Sequence, residues 1–463
     1  MLIESHTQNK TDEPIRFIDL FAGLGGFHSA LKDLNCECVF ASELKEDLRK
    51  LYAINFPGTP IRGDITEISP AEISAHNLLC GGFPCQPFSQ AGKQQGFNDD
   101  KDRGNLFYNI CDILEYHRPR YVFLENVANL MSHDSNNTWN VIFHRLNDPL
   151  EKGGLNYEVK QTILSPHQFG IPQHRKRTYI VCEAREYGCL EHFKFPEPTN
   201  EKCKIENILD KYDTETIPLR ESTIIQLNVW EEFIKKCVLY KTPIPSFPIW
   251  AMEFGANYDY RNTAPAYQSV SQLCGKRGKL GQMIEGESTE QCLSCLPIYA
   301  QTSKDRQFPD WKIRYIEQNR EFYEQNKPWL DDWIKKIQDF ENSHMKMEWN
   351  CGSDATPTLK DKIIQFRASG IRVKLPTFSP ALNLCGTQIP IFPWLSAYDE
   401  DLGKVTMGRY LTRREAARLQ GMDSMKFGNN DFQLSIPRSY AALGNAVNVV
   451  VVRKIAKNLL RYE

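Results

Sequence analysis

The first half of the chain alternates short apolar runs with amphipathic stretches. The apolar runs predict strands at 16–21, 38–42, 78–80, 121–125, 157–164 and 178–182, and helical spacing predicts helices at 26–35, 45–55, 106–116 and 138–146. This alternation is typical of a doubly wound α/β domain, a parallel sheet with helices on both faces. Ligands bind such sheets beyond the carboxyl ends of the strands. Polar motifs follow three of these strands, at Phe21, Cys85 and Glu125.

A glycine-rich turn follows the first predicted strand. Gly23, Gly25 and Gly26 let the chain turn sharply and let a ligand touch the backbone, and Glu43, after the second strand, offers a carboxylate to ribose hydroxyls. This pattern indicates an adenosine-containing cofactor. A nicotinamide-dependent oxidoreductase is the alternative, but the turn lacks the Gly-x-Gly-x-x-Gly spacing that places a pyrophosphate.

Cys85 lies between Pro84 and Pro87 in the segment 81–89. The two proline rings fix their own φ angles and restrict the residues before them, so the cysteine is held in one backbone geometry. Such presentation suits a nucleophile. The alternative is a small apolar side chain packed in the core, as most unpaired cysteines are.

Composition describes an ordinary globular protein. The chain has 463 residues, 41% hydrophobic and 25% charged, and is long enough for about two to three domains. With no long apolar run and no leader, it is expected to be cytoplasmic and to have no membrane partner. Its 14 cysteines lack the spacing of a small disulfide framework, which indicates a reducing compartment.

The formal net charge is −2, so affinity for a nucleic acid has to come from local groups of basic residues. Any single group of this kind is more typical of a solvated face, but basic groups that line a cleft with acidic residues outside it would also give a near-neutral total. The candidate basic groups are His174 to Arg177, Lys276 to Lys279, Arg367 with Arg372 and Lys374, and Arg409 with Arg413, Arg414 and Arg418.

The order of the motifs is more specific than any one of them. Phe17 to Phe27, Phe83 to Pro87, Glu125 to Val127, Gln173 to Arg177, Arg409 to Asp423 and Gly444 to Val447 follow one another along the chain. Together they resemble the cytosine-5 DNA methyltransferases of prokaryotic restriction-modification systems. The resemblance covers about 1–185 and 375–463 and leaves the middle of the chain unassigned.

This resemblance implies a Rossmann-like methyltransferase domain that binds S-adenosyl-L-methionine (SAM), with no metal. One position departs from the family, because Leu44 replaces the aromatic residue that often follows the ribose-binding acid. The implied cofactor-binding residues are Phe21, Leu24, Gly26, Glu43, Asp64, Ile65, Pro84, Leu106 and Asn445.

The implied chemistry acts on a cytosine flipped out of duplex DNA. The Cys85 thiolate attacks carbon 6 of the ring, Glu125 assists at ring nitrogen 3, and Arg175 meets the base and the cysteine. Arg177 lies on the same side of the chain, or only pairs with a nearby carboxylate. Gln86 completes the candidate catalytic set, Gln173 is architectural, and the segment 86–103 has the composition of a lid that closes over the base.

The domain prediction has three parts. Residues 1–185 form the first part of the catalytic domain, 186–375 a smaller target-recognition domain with an insertion, and 376–463 return to the catalytic domain. In the middle part a helical region from 310 to 344 is expected to be interrupted at Pro328. Cys292 and Cys295, with Cys274 and Cys351 as partners, leave a zinc site open as an alternative.

The expected partner is double-stranded DNA, handled by a monomer whose cognate restriction endonuclease is encoded separately. A tRNA-directed branch of the family is the first alternative; that branch typically carries a Cys-Phe-Thr tripeptide, and this sequence has none. A catalytically silent DNA-binding relative is the second, against which Cys85, Glu125 and Arg175 all argue.

Overall fold

A computed structural model describes residues 13–84, 106–199, 201, 203–210, 215–382 and 388–461. Its regular elements alternate between strands and helices in the first half, as the hydrophobic pattern predicts. In chain order the described strands and α-helices are β1 (Ile15–Leu20), α1 (Gly26–Leu31), β2 (Cys36–Ser42), α2 (Glu46–Asn55), β3 (Ile61–Arg62), β4 (Leu78–Gly81), α3 (Leu106–His117), β5 (Tyr121–Val127), α4 (Asn137–Asn147), β6 (Tyr157–Leu164), β7 (Gln173–His174), β8 (Arg177–Ala184), α5 (Glu221–Leu239), β9 (Ile249–Trp250), α6 (Val270–Leu273), α7 (Thr289–Ser294), α8 (Ile298–Gln301), α9 (Asp310–Ile337), β10 (Lys346–Asn350), β11 (Ile363–Arg367), β12 (Gly370–Lys374), β13 (Ser379–Pro380), β14 (Ile391–Asp399), β15 (Lys404–Tyr410), α10 (Arg413–Leu419), α11 (Ile436–Asn445) and α12 (Val449–Leu460).

The chain divides into two compact units. The first takes its described residues from 1–209, 378–386 and 413–463, and the second from 210–377 and 387–412. Each unit has its own sheet and its own buried apolar cluster. The first unit is therefore built from three separate stretches of the chain.

The first unit contains a seven-stranded sheet in the order β3-β2-β1-β4-β5-β8-β6. The described pairings of β1 with β2 and β4, of β2 with β3, and of β4 with β5 are parallel, whereas β8 runs antiparallel to both β5 and β6. The sheet is thus parallel-dominated, and the prediction of a wholly parallel sheet is corrected at β8. The connection from β6 to β8 contains no α-helix, and a parallel return usually needs one.

Helices cover both faces of this sheet, as predicted. On one face, alternate side chains of the strands, including Leu20 of β1 and Leu124 of β5, are buried in one cluster with apolar residues of α3 and α4. On the opposite face, Phe123 of β5 meets Phe27 of α1 edge to face, with ring centroids 5.2 Å apart. Because successive residues of a strand point to opposite faces, this alternation follows from the strands' sequence. Helix α12 packs against α1.

The second unit contains a six-stranded sheet in the order β15-β14-β11-β12-β10-β9. Its core is rich in aromatic side chains from α5 and α9, among them Trp230 and Trp333. Helix α9 runs through Pro328 without a break, which corrects the predicted interruption. Proline removes one backbone hydrogen bond, and the buried Trp329, Leu330 and Trp333 that follow it hold the helix in place by packing.

Near the carboxyl terminus the pattern predicts one helix at 446–461, whereas the structure has two. Helix α11 ends at Asn445, and α12 begins three residues after Ala446, at Val449. The separation places the motif 444–447 at the junction between two helices. The short strand β13 pairs with β7, so this part of the chain returns to the first unit beside the Gln173 motif.

Candidate active site

The glycine turn after β1 has the backbone geometry that its sequence predicts. Phe21, Gly23 and Gly25 all have positive φ, at 56°, 53° and 74°. A Cβ atom at Gly25 would lie 2.3 Å from a ring carbon of Phe56, and one at Gly26 would lie 2.4 Å from Cγ2 of Val447. Both positions therefore need glycine, the first for φ and space and the second for space alone.

The Glu43 carboxylate ties this turn to the end of β2. Its Oε2 accepts a hydrogen bond from the Gly23 backbone N–H at 2.9 Å, and its Oε1 accepts one from the Lys45 N–H, also at 2.9 Å. A carboxylate oxygen has two lone pairs, so each keeps one acceptor direction for a further donor. The predicted ribose-binding acid is thus held in a fixed orientation beside the turn.

Apolar members of the predicted cofactor set meet at one cluster in the first unit. Ile65 is buried in the same cluster as Leu20 and Phe83, and Phe21 and Leu106 pack against it from the side. Leu24 is also buried, within the turn. These side chains supply an apolar surface next to the Glu43 carboxylate.

Three further predicted residues show different environments. Asp64 accepts hydrogen bonds from the backbone N–H and the hydroxyl of Thr66, at 3.0 and 2.8 Å. Pro84 and Asn445 are both exposed. Asn445 is the last residue of α11, and within the described residues its side chain makes no hydrogen bond to the glycine turn.

The predicted nucleophile Cys85, its neighbour Gln86 and the predicted lid at 86–103 lie outside the described residues. The chain leading to them is positioned by the Glu125 motif. The side-chain Nδ2 of Asn126 donates to the Phe83 carbonyl at 3.0 Å, two residues before Cys85. The Asn126 Oδ1 accepts the Val127 N–H, which fixes the amide's orientation.

Glu125 is buried in the sheet beside Arg177. The Nε atom of Arg177 lies 3.2 Å from Oε1 of Glu125, so the predicted alternative of a carboxylate partner for Arg177 is met by Glu125 itself. That Oε1 has no hydrogen bond of good geometry among the described residues. Burial raises the pKa of Glu125 above its usual value, and the charges of Arg177 and Arg175 oppose this rise.

Arg175 braces the carboxyl-terminal motif. Its Nη1 donates to the Gly444 carbonyl at 2.8 Å and its Nη2 to the Ala446 carbonyl at 3.1 Å. Only 3% of the residue is exposed, and burial together with the Arg177 charge lowers the pKa of Arg175 to about 10. Its Nε has no partner in the described part of the chain, which leaves one donor for a ligand.

The structure adds Tyr179 to the residues assigned from the sequence, and it shows the surroundings of Gln173, which was expected to be architectural. Tyr179 lies directly across from Glu125 on the neighbouring strand, and its buried hydroxyl has no hydrogen-bond partner among the described residues. The same holds for both amide atoms of the fully buried Gln173. The alternating spacing of 173, 175, 177 and 179 was the signal for this group, and Asn126 stood within a motif already identified.

Many predicted basic residues are engaged inside the protein. The Arg409 guanidinium is buried and donates to the carbonyls of Tyr410 and Asp210. Arg367 pairs with Glu348 at 2.8 Å, and Arg418 pairs with Asp423 at 2.7 Å. Clustering in sequence therefore overstates the positive charge that these residues offer to a nucleic acid.

The cysteine group of the zinc alternative is only partly brought together. The Sγ atoms of Cys274 and Cys292 lie 3.3 Å apart, while the Cys295 thiol donates to the Gln291 carbonyl. No group of three or more potential metal ligands occurs among the residues that the structure describes. The set of four ligands that a structural zinc site needs is not assembled there.

A model of the C-5 cytosine-specific DNA methylase family matches residues 15–461. The chain belongs to this family. The match extends over both compact units and every motif of the candidate site. Membership implies the use of SAM as methyl donor. Within the described part of the chain, we find no helix with the length and apolar character that crossing a membrane requires.

Individual relatives are type II methyltransferases. The chain is 42% identical to M.HhaI of Haemophilus parahaemolyticus over 184 residues, which are 40% of this chain and 53% of that one. It is 44% identical to M.HaeII of Haemophilus aegyptius over 198 residues, 42% of this chain and 58% of that one. The chain thus spans little more than half the length of these two relatives. Its similarity to M.AluI of Cellulosimicrobium cellulans is 29% identity, covering 98% of this chain and 93% of that one.

Proposed function

We propose that the chain is a DNA (cytosine-5-)-methyltransferase that transfers a methyl group from SAM to carbon 5 of a cytosine in a specific duplex DNA sequence. One observation carries the proposal. Asn126 holds the Phe83 carbonyl two residues before Cys85, and its neighbour Glu125 lies buried against Arg177. Phe83, the first residue of one family motif, is thereby joined to Asn126 of the second at the carboxyl ends of adjacent strands.

The residues of the first unit fit SAM. The turn at 23–26 presents backbone with little side-chain cover, Glu43 keeps acceptor directions for two ribose hydroxyls, and Phe21, Ile65 and Leu106 offer an apolar surface for adenine. We assign Leu24, Gly26, Asp64, Pro84 and Asn445 to the same pocket. When bound, SAM supplies an electrophilic methyl group.

Cys85 acts as the nucleophile. Its thiolate forms a bond to carbon 6 of the cytosine ring, which moves the ring's π electrons to carbon 5 and makes that carbon reactive toward a methyl group. Carbon 5 then forms a bond to the methyl group as the bond from that group to the sulfonium sulfur breaks, which leaves a neutral thioether, and a base removes the hydrogen at carbon 5. The electron pair of that C–H bond restores the 5,6 double bond, the C–S bond breaks, and the thiolate is regenerated.

Glu125 holds the ring at nitrogen 3. Because burial raises its pKa, the protonated carboxyl persists to a higher pH than in an ordinary glutamate and can donate to nitrogen 3 as electrons shift. Arg177 positions this carboxyl, and the free Nε of Arg175 is available to the base. We assign Gln86, next to the nucleophile in sequence, to the same site.

The base must leave the duplex to reach this site. We assign target recognition to the middle of the chain, where the second unit lies, and expect a monomer to suffice because one base is treated at a time. The functional partner of the enzyme in the cell is a separately encoded restriction endonuclease, which cleaves the same sequence when it is unmethylated.

The covalent scheme is tested with Cys85→Ser. A serine hydroxyl is a far weaker nucleophile than a thiolate, so turnover on duplex DNA is expected to be lost while SAM binding, measured by calorimetry, is retained. Cys189→Ser, at a partly exposed cysteine of the first unit, is the matched control and should keep full activity. Wild-type turnover in Cys85→Ser would refute the scheme.

A further inference from the structure

Two lysines of the second unit share an aromatic surface. The Lys346 ammonium lies 4.9 Å from the ring centroid of Trp250 and 5.4 Å from that of Tyr299. The Lys312 ammonium lies 5.5 Å from the Tyr299 centroid and 4.4 Å from that of Phe308. Residues 34 positions apart in the chain thus bring two positive charges over the same ring.

Within the described ranges of the chain, neither ammonium group forms an ion pair with a carboxylate. Among the described residues, no ion pair and no hydrogen bond involves the side chain of Lys312 or Lys346. The carboxylate of Glu253 is near Lys346, but it is fully buried and is already bound by Arg320 at 2.9 Å and by the hydroxyls of Tyr258 and Tyr299. Asp305 is the acid near Lys312 and forms no ion pair with it.

Burial disfavours both positive charges, and the aromatic faces and the nearby carboxylates of Asp305 and Glu253 oppose this effect. Burial lowers the pKa of each lysine, and the Lys312 charge lowers that of Lys346 further. Lys312 also lies in the first turn of the 28-residue helix α9, where the helix dipole is positive and where Asp310 is the acidic residue of the turn. Two unpaired cations at such a position are expected to bind an anion strongly.

We propose that Lys312 and Lys346 form a site for a phosphate group of the DNA backbone, with Trp250 and Tyr299 as its floor. The inference rests on the proposed function, because duplex DNA is the anion that function supplies. Lysine ammonium groups are compact donors suited to phosphate oxygens. Both side chains are only partly buried, and the neighbouring Trp311 is 48% exposed, so the surface is open to a strand.

The site is tested by the salt dependence of DNA binding in the full-length protein. The dissociation constant for mixed-sequence duplex DNA is measured by fluorescence anisotropy over a series of potassium chloride concentrations. For Lys312→Gln combined with Lys346→Gln, binding should weaken severalfold on all sequences, and the slope of log K against log salt should fall by about 1. Lys312→Arg combined with Lys346→Arg, which keeps both charges, should retain the wild-type slope.

Lys335→Gln is the matched control, because it removes one charge from the opposite end of α9, at an exposed lysine that already pairs with Asp332. A double variant whose slope falls no more than that of Lys335→Gln would overturn the inference. A further outcome concerns inorganic phosphate, if it raises the melting temperature of the wild type and not that of the double variant. If the DNA slope of the double variant were nevertheless unchanged, the site would bind free phosphate and not the DNA backbone, and the inference would be overturned.

The same series separates the site from the proposed function. A wild-type protein that binds DNA with a slope dependent on the two lysines, but methylates none, would keep the phosphate site and remove the activity. If the wild-type protein methylates cytosine in DNA and the slope of log K against log salt is the same with and without the two lysines, the activity would be kept and the phosphate site removed. Absence of any binding to duplex DNA would contradict both.

Discussion

Arg175 illustrates how much of the site depends on single side chains. A buried guanidinium holds two backbone carbonyls that are 269 and 271 residues away in sequence. It therefore connects the Gln173 motif to the junction of α11 and α12. Arg175 thus has two assigned roles: it holds these backbone carbonyls, and by family resemblance it contacts the flipped base. The two roles can be separated by experiment.

Arg175→Lys tests the first role. A lysine has one nitrogen at its tip and cannot hold both carbonyls in the same geometry, so at least one buried hydrogen bond to a charged group is lost. The expected cost is about 1.5–3 kcal/mol of unfolding free energy, measured as a lower midpoint in urea. Arg185→Lys, at an exposed arginine with one hydrogen bond to Asn147, should change stability by less than about 0.5 kcal/mol. Equal stabilities of the two variants would contradict the bracing role.

Glu125→Gln tests the residue assigned to ring nitrogen 3. Loss of a general acid is expected to slow methyl transfer by about 10²–10⁴-fold. In the wild type, the protonated share of Glu125 falls as the pH rises through its raised pKa, so the rate should decline on the alkaline side. The variant has no such group and should lose that decline.

Glu183→Gln is the control for this variant. It removes another buried carboxylate of the same sheet, which lies on β8 outside the candidate site and pairs with Arg120 at 2.7 Å. Its rate and pH profile should match those of the wild type. A Glu125→Gln rate within a few fold of wild type would remove the assigned role.

At the scale of elements, the glycine turn joins β1 to α1 and packs against Phe56 and Val447. A side chain at Gly25 would need a left-handed backbone and would enter the space of the Phe56 ring. The ring of His28 in α1 stacks on Phe56, with centroids 3.9 Å apart, so Phe56 has little room to move. The turn is rigid because its neighbours are packed against it.

Gly25→Ala is predicted to weaken SAM binding and to destabilise the protein by more than the backbone strain alone. Gly58→Ala is the matched control, because Gly58 also has positive φ, at 89°, but no atom lies within 4 Å of its virtual Cβ. Strain alone should cost about 1–2 kcal/mol in Gly58→Ala and leave the SAM dissociation constant unchanged in calorimetry. Equal effects of the two substitutions would show that contact with Phe56 is unimportant.

The elements also show what a sequence can predict. Strands and helices of the first unit were predicted because each depends on its own apolar spacing, and β6 matches its predicted bounds of 157–164. The direction of β8 was missed because it depends on the connection that precedes it. Helix α9 was predicted to break at Pro328 because local propensity ignores the tryptophans that pack beyond it.

The candidate site divides in the same way. Glu43, Glu125 and the glycine turn stand in recognisable motifs, so their residues were identified from the sequence. The contacts of Arg175 with Gly444 and Ala446, and the approach of Lys346 to Lys312, depend on long-range packing and leave no local pattern. Arg409 was included among the candidate DNA-facing residues because its burial cannot be read from its basic neighbours.

At the scale of the whole molecule, the proposed function divides its work between two units with separate cores. The first unit carries the predicted cofactor and catalytic residues, and the second carries the proposed phosphate site. A net charge of −2 means that binding to DNA depends on local groups of cations, and its decrease with salt should report the number of phosphates that they contact.

The most direct test of this account is to incubate the purified protein with tritiated SAM and either mixed-sequence duplex DNA or bulk tRNA, and to map the labelled bases. We predict label on carbon 5 of cytosine within one short DNA sequence, and none on tRNA. Label on tRNA alone would contradict the DNA assignment in favour of the RNA-directed branch, and label on neither would contradict the enzymatic role.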